Sequence, residues 1–310
     1  MKLIVTFTCI YILTGINFTY SQVKMKEDFV SSKTPISQSF NMNLDIDLEF
    51  NSIFNSQNEI DELEQLLQAK KNREALAFLE KHSIDNNSFL LPFSKGAIHL
   101  YDNNLNESYK EFETSVKLTS NDSIKSQLYF ILSVIDLKKE KPYEALTNMT
   151  KSFKLDSLNL NKIIILGVFN AQLNKEEKEI YYFEKALKIN PKLNNLKNNL
   201  AFIYQKKGMQ KKAIRYFSEI IKEELDSPLA YNNRGYSYLK LGEFNKALKD
   251  INKSIKILPE NSYAYRNRAL VYIATKDFDK ACNDIETALN LGYEEKYGTD
   301  LSIKKSNYCK

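Results

Sequence analysis

The chain has 310 residues, 43% of them hydrophobic and 27% charged, a balance that gives most of its length enough apolar material to fold and excludes a wholly disordered chain. Eight glycines and six prolines are few, which suits helices and argues against many β-turns. The net charge of +5 is small, and its lysines are spread among 39 acidic residues, so the composition does not mark a nucleic-acid binder.

Residues 1–21 have the pattern of an export signal. Lys2 supplies the positive start, 3–13 the apolar run, and Thr19-Tyr20-Ser21 a small-residue cleavage site before Gln22. The run fades by Asn17, short of the ~20 residues needed to cross a bilayer. Cleavage is therefore expected, giving an exported chain, periplasmic or secreted, with no membrane span after signal removal. Cys9 lies inside the apolar run, out of place for a lipidated cysteine. Residues 22–55 read as a flexible polar leader. Within it, 43–50 alternates polar and apolar residues, a strand signal with no evident partner.

From Ser56 helical pairs begin. Ile60, Leu63, Leu66 and Leu67 form one apolar stripe; Ala75, Leu76 and Leu79 form the next, with Lys70-Lys71-Asn72 as the turn. Residues 89–125 continue with Gly96 and His99 in one helix and Phe112, Val116 and Leu118 in another, and Asn121-Asp122-Ser123 supplies an N-cap. The pattern over 56–125 is degenerate; from 126 to 295 it is strict. Its clearest copy is 228–261, where Tyr231, Gly235, Tyr238 and Leu241 mark one helix and Phe244, Ala247, Leu248, Ile251, Ile255 and Leu258 a second. Gly242 stops the first helix and Pro259 the second. A shift of 34 residues forward places Tyr265, Ala269, Tyr272, Ala281, Ile285 and Leu289 in the same slots. One shift back gives Ala201, Tyr204, Gly208, Ala213, Phe217 and Ile221, and two give Gly167, Phe183, Leu187 and Pro191. A fixed period of helix–turn–helix units is the signature of a solenoid. Residues 296–310 leave the pattern and are the candidate cap for the last unit, whose apolar flank needs one.

This arrangement resembles the tetratricopeptide repeat family. The likeness covers five consecutive units over 126–295 and includes Pro191 and Pro259 near the ends of two of them. It departs from the family in lacking a tryptophan at the first-helix aromatic position, which holds Tyr129, Ile163, Lys197, Tyr231 or Tyr265. Glu179 stands where alanine is usual, so the unit 160–193 is expected to be looser. The resemblance implies an all-α, right-handed superhelical solenoid of about seven helix–turn–helix repeats, with the first helix of each lining a concave inner face. It implies a binding surface and no particular chemistry.

The residues agree with that. His82 and His99 fall in different units and pair with nothing at metal-ligand spacing, and there is no phosphate loop, no C-x-x-C and no nucleophile elbow. The expectation is a non-enzyme without metal or cofactor. Arg234 and Arg268 occupy a slot filled by leucine in the preceding units (Leu132, Leu166, Leu200), and each is followed sixteen residues later by an aspartate, Asp250 and Asp284. Where the arginine is absent so is the aspartate: Asn148, Tyr182 and Tyr216 stand there. Covariation within one chain favours semi-buried ion pairs over ligand contacts.

The inner face offers the binding candidates. Asn199, Asn233 and Asn267 lie one period apart on first helices, with Asn198, Asn232 and Arg266 beside them and Asn195 and Lys240 nearby. A carboxamide both donates and accepts, so such a ladder can hold the main chain of an extended peptide whatever its side chains. It is similar to the asparagine ladder of the repeat domain in protein N-acetylglucosamine transferases. The expected function is a protein- or peptide-binding scaffold of the cell envelope. The alternatives are a structural subunit of an envelope assembly docked through the outer surface and the leader, and a glycan-binding module. Export leaves two cysteines, Cys282 and Cys309, and an oxidising compartment favours a bond between them that staples the tail over Tyr272, Ile285 and Leu289.

Overall fold

The computed structural model describes residues 56–82 and 88–309. The export signal, the polar leader and its alternating stretch lie outside the described residues. Sixteen helices and no strand occur among those described. Fourteen form seven successive pairs: α1 (Gln57–Gln68) with α2 (Asn72–His82), α3 (Leu90–Tyr101) with α4 (Leu105–Leu118), and α5 (Asp122–Lys138) with α6 (Pro142–Leu155). They continue as α7 (Leu160–Gln172) with α8 (Glu176–Ile189), α9 (Asn194–Lys206) with α10 (Gln210–Glu223), α11 (Pro228–Lys240) with α12 (Phe244–Ile257), and α13 (Ser262–Ala274) with α14 (Phe278–Asn290). The short α15 (Tyr293–Tyr297) and α16 (Asp300–Tyr308) follow. The protein is an all-α helical-repeat solenoid. It divides into two compact units, 56–186 and 187–309, at a point inside α8.

The helices start and stop for local reasons. Asn121 caps α5 by accepting hydrogen bonds from the backbone N–H groups of Ser123 and Ile124, and Asn159 does the same for α7 through Lys162. Pro142 and Pro228 open α6 and α11, where a missing N–H costs nothing. First helices end on a left-handed residue that recurs every 34 positions: Glu140, Asn174, Gly208, Gly242 and Lys276. Around Gly242 (φ +75°), the Gly242 N–H donates to Leu239 O and the Glu243 N–H to Tyr238 O, which satisfies two of the carbonyls orphaned at the helix end.

Within a pair, small residues on one helix meet large ones on the other. Ala145, Ala213, Ala247 and Ala281 are fully buried in one slot, and Met149, Phe183, Phe217, Ile251 and Ile285 are fully buried four positions later. Burying each large side chain contributes about 1.5–3 kcal/mol. Gly235 shows why the facing position stays small. A Cβ there would lie 2.6 Å from Ile251 Cγ1 and 3.1 Å from Ala247 O. Glu179, in the alanine slot of its unit, is half-buried.

In the first unit a buried polar network replaces part of this packing. Asn148 Nδ2 donates to Asp136 Oδ2 (2.7 Å) and lies 3.1 Å from the Tyr109 hydroxyl. Burial is the main cause holding the Asp136 carboxyl above the usual carboxylate range.

In the second unit α10 packs on α11, α12 on α13, and the first helices α11 and α13 touch directly. The tail folds back on the last pair. Leu301 of α16 has 0% exposure and joins Ala269, Ile285, Ala288 and Tyr293 in one cluster, with Leu289 and Cys309 at its margin. The covered flank therefore includes Ile285 and Leu289 as expected, but not Tyr272. That ring carries Lys280 Nζ 5.5 Å from its centroid, on the side where the two helices of a pair meet. Cys282 and Cys309 are paired in bonding geometry, with Cα atoms 5.6 Å apart.

Candidate functional site

Two sets of polar side chains repeat through the second unit. The first fastens helices together. Arg234 grips Asp250 with two parallel hydrogen bonds, Nε to Oδ2 at 2.6 Å and NH2 to Oδ1 at 2.9 Å. Arg268 grips Asp284 the same way, both at 2.7 Å. Each arginine uses one further donor, which sequence reading did not anticipate. Arg234 NH1 donates to Ser218 Oγ (3.0 Å) and Arg268 NH1 to Asn252 Oδ1 (2.7 Å). Ser218 and Asn252 lie sixteen residues before their arginines, on the second helix of the preceding pair, so a signal existed in the spacing. Each arginine thus ties three consecutive helices. In both, the hydrogen bonds donated to aspartate are the leading cause of a guanidinium pKa above its ordinary value.

The second set is the row predicted as an asparagine ladder, and the structure splits it. Toward the end of the chain the side chains are locked in a hydrogen-bonded chain. Asn232 Nδ2 donates to Asn233 Oδ1 (3.2 Å), and Asn267 Nδ2 donates to Asn232 Oδ1 (2.9 Å). Arg266 NH1 donates to Asn267 Oδ1 (3.0 Å), and its NH2 to Asp300 Oδ2 (3.1 Å) on the cap. Asn267 has 0% exposure, so it holds its neighbours and offers no surface to a ligand. Asn232 is likewise buried. Asn198 and Asn199 on α9 are half-exposed, Asn195 is exposed, and none of their side chains makes a hydrogen bond to a described residue. Asn233 is half-exposed, with its Nδ2 not used by any described residue, and its main-chain carbonyl accepts from Gln205 Nε2 (2.7 Å). Lys240 stands exposed at the end of α11, its Nζ 5.3 Å from the centre of the Tyr236 ring. Sequence reasoning missed Gln205, Tyr236 and Asp300. Asp300 could have been found, because it lies one period after Arg266.

Around Arg266 the rings of Tyr236 and Tyr263 lie 5.9 and 5.5 Å from the guanidinium carbon. Tyr263 also stacks on Tyr293 at 6.0 Å and meets Tyr297 edge-on at 5.3 Å. Burial pushes the Tyr263 phenol above its usual value and the Tyr293 phenol well above it. Among the described residues no three His, Cys, Asp or Glu side chains cluster as a metal site would require. No described helix is long and apolar enough to cross a membrane.

The tetratricopeptide repeat sequence model matches residues 228–261, and a second model of the same repeat matches 164–193, the unit that carries Glu179. The chain carries tetratricopeptide repeats. Among solved structures, this tetratricopeptide repeat protein is similar to MamA (residues 41 to the end) from Desulfovibrio magneticus RS-1. Identity there is 18%, coverage 55% of this chain and 96% of that one, and the TM-score 0.50. It is also similar to the C-terminal part of a TPR repeat-containing protein from Cytophaga hutchinsonii, at 16% identity, 66% and 83% coverage and a TM-score of 0.51. At such identities these two likenesses concern the fold. No curated protein sequence matches the chain.

Proposed function

We propose that this protein is a non-enzymatic scaffold that holds an extended segment of a partner protein along the first helices of its second unit. The observation that carries the reading is the unused hydrogen-bonding capacity there. Among the described residues Asn198, Asn199 and the Nδ2 of Asn233 face no partner, while one period further on the same slots are sealed by Asn232, Asn267 and Arg266. Half-exposed carboxamides at intervals along a row match the alternating donors and acceptors of an extended main chain. A repeat fold that supplies a surface rather than a catalytic centre supports the same reading.

The test is a displayed peptide library panned on the full chain and on the variant Asn198→Ala/Asn199→Ala/Asn233→Ala. Peptides enriched by the first and lost from the second, with helical content unchanged by circular dichroism, are the expected outcome. Equal enrichment on both moves the site to the outer surface.

The cell envelope is the compartment proposed for this activity. Its support is the export pattern of 1–21 and the spacing of Cys282 and Cys309, which an oxidising compartment would convert to a disulfide. Intact mass of protein from its native host decides the matter: a chain beginning at Gln22 agrees, and one retaining residues 1–21 does not.

A further inference from the structure

The tail occupies the place of an eighth first helix. Adding one period to Tyr263, Arg266 and Asn267 gives Tyr297, Asp300 and Leu301, and the structure sets Asp300 against Arg266 as a neighbouring slot. Asp300 is the last member of the hydrogen-bonded chain that begins at Asn233, so the cap and the open part of the binding row are joined by four consecutive side-chain hydrogen bonds. Arg266 Nε has no hydrogen-bond partner among the described residues, and Asp300 is the carboxylate paired with its largely buried charge.

The cap itself is weakly held. An isolated helix of nine residues is unstable in water. Leu301 is the only buried residue of α16 and Ile303 is exposed; its further contacts include the hydrogen bond that Ser302 N–H donates to Glu294 Oε1 on α15 (2.8 Å), the Phe278–Tyr308 ring stack, both rings partly in solvent, and the exposed Lys305–Glu286 pair at 3.7 Å. Cys309 closes the far end of this helix onto Cys282 of α14, and both cysteines are half-exposed and within reach of a solution reductant.

We propose that the Cys282–Cys309 couple regulates the binding row: the disulfide holds the cap, and through the cap Asp300 positions Arg266, Asn267, Asn232 and Asn233. Reduction by a dithiol delivers two electrons and two protons. The S–S bond breaks, both cysteines become thiols, and the dithiol leaves as its own disulfide. The cap then frays and Arg266 loses its carboxylate. The guanidinium, still donating to Asn267, is free to swing toward the open carboxamides and compete for the ligand oxygens they would bind. Asp300 is in this scheme a positioning residue that acts through Arg266. The consequence for peptide binding rests on the function proposed above; the coupling itself does not.

Hydrogen exchange on the full chain, with and without dithiothreitol, reads the cap, and the side-chain amide resonances of Asn232, Asn233 and Asn267 read the row. On reduction, exchange across 300–308 should rise at least tenfold while α11 and α12 keep their protection, and the three carboxamide signals should shift. Asp300→Asn with the disulfide intact should move the carboxamide signals and leave cap protection within about twofold. Cys282→Ser/Cys309→Ser should match the reduced protein and ignore dithiothreitol. Unchanged cap protection on reduction, a frayed cap with unmoved carboxamides, or a Cys-free variant that still responds would each overturn the proposal. These readouts need no ligand, so a failed peptide selection would count against the proposed function and leave this test standing.

Discussion

Replacing Asp250 by alanine leaves Arg234 with a charge and nothing to answer it. The bidentate contact disappears, and Ser218 Oγ becomes the remaining hydrogen-bond partner of the guanidinium. Stranding one member of a buried ion pair costs about 3–5 kcal/mol. Asp250 is 6% exposed but Arg234 is 18% exposed, so water reaches part of the guanidinium and the lower end applies, about 3 kcal/mol. In a unit of this size that lowers the melting temperature by roughly 10 °C. The second half of the argument is the rescue. One period earlier the same two slots hold Leu200 and Tyr216, and Tyr216 stacks on Tyr204 with ring planes 5° apart. Tyr238 occupies the Tyr204 slot of the Arg234 unit, so Arg234→Leu with Asp250→Tyr has a ring ready to stack on. The double variant should return to within about 1 kcal/mol of the parent, because apolar replacement of an ion pair is commonly neutral. Thermal melts of the three proteins decide it. An Asp250→Ala shift below ~2 °C, or a double variant no better than the single, refutes the reasoning.

Burial holds the Asp136 carboxyl above its unfolded value, so its share of stability is present in acid and is lost as the pH rises through the folded value. Asp136→Asn, whose carboxamide oxygen can still accept from Asn148, should therefore melt higher than the parent at pH 7, with the gap closing toward pH 4 in a series of melts. Lys276 holds a left-handed conformation (φ +62°) that glycine adopts freely, so Lys276→Gly should stabilise by about 1 kcal/mol in a urea titration. Asn267→Ala should destabilise by about 1–3 kcal/mol, since it removes one partner each from Asn232 and Arg266, whereas Asn199→Ala, at a half-exposed residue with no partner among the described residues, should leave the urea midpoint unchanged. Non-reducing peptide mapping of protein from its native host should recover a linked Cys282–Cys309 peptide; two free thiols would end that assignment.

Helix pairs were legible because each slot repeats. A 34-residue shift that returns Ala213, Ala247 and Ala281 to one another leaves little freedom about which face is buried, and those residues are indeed fully enclosed. Turns were harder to read. Gly208 and Gly242 announce theirs, but the same left-handed position is held by Glu140 and Lys276, residues with no turn preference, because the flanking helices already force the geometry. The Arg–Asp pairs could be inferred since both members vary together, yet Ser218 and Asn252 differ from one another, so that only their shared sixteen-residue spacing pointed to them. The asparagine row failed in a more informative way. Period alone placed Asn199, Asn233 and Asn267 as equals, but each side chain also depends on its neighbour one unit on. Asn267 sits between Asn232 and Arg266 and is consumed by them, while Asn199 meets no such pair. Equivalence in sequence is a statement about backbone position; exposure is decided by the next repeat.

That dependence explains how the second unit can carry open polar groups without losing its form. On one side of the helix layer Arg234 spans α10, α11 and α12, and Arg268 spans α12, α13 and α14, so five consecutive helices share two rigid forks. A guanidinium fork fixes direction as well as distance, which a contact such as Leu200 against its neighbours does not. In the other row the locked asparagines supply the same lateral register through neutral amides, and Asp300 closes the series. Fastened from both rows, α11 and α13 cannot slide past one another, and this rigidity lowers the ordering cost of any segment laid along them. The open carboxamides of Asn198 and Asn199 stand at the end of that fastened stretch, so an extended partner would meet donors and acceptors whose spacing the chain has already set.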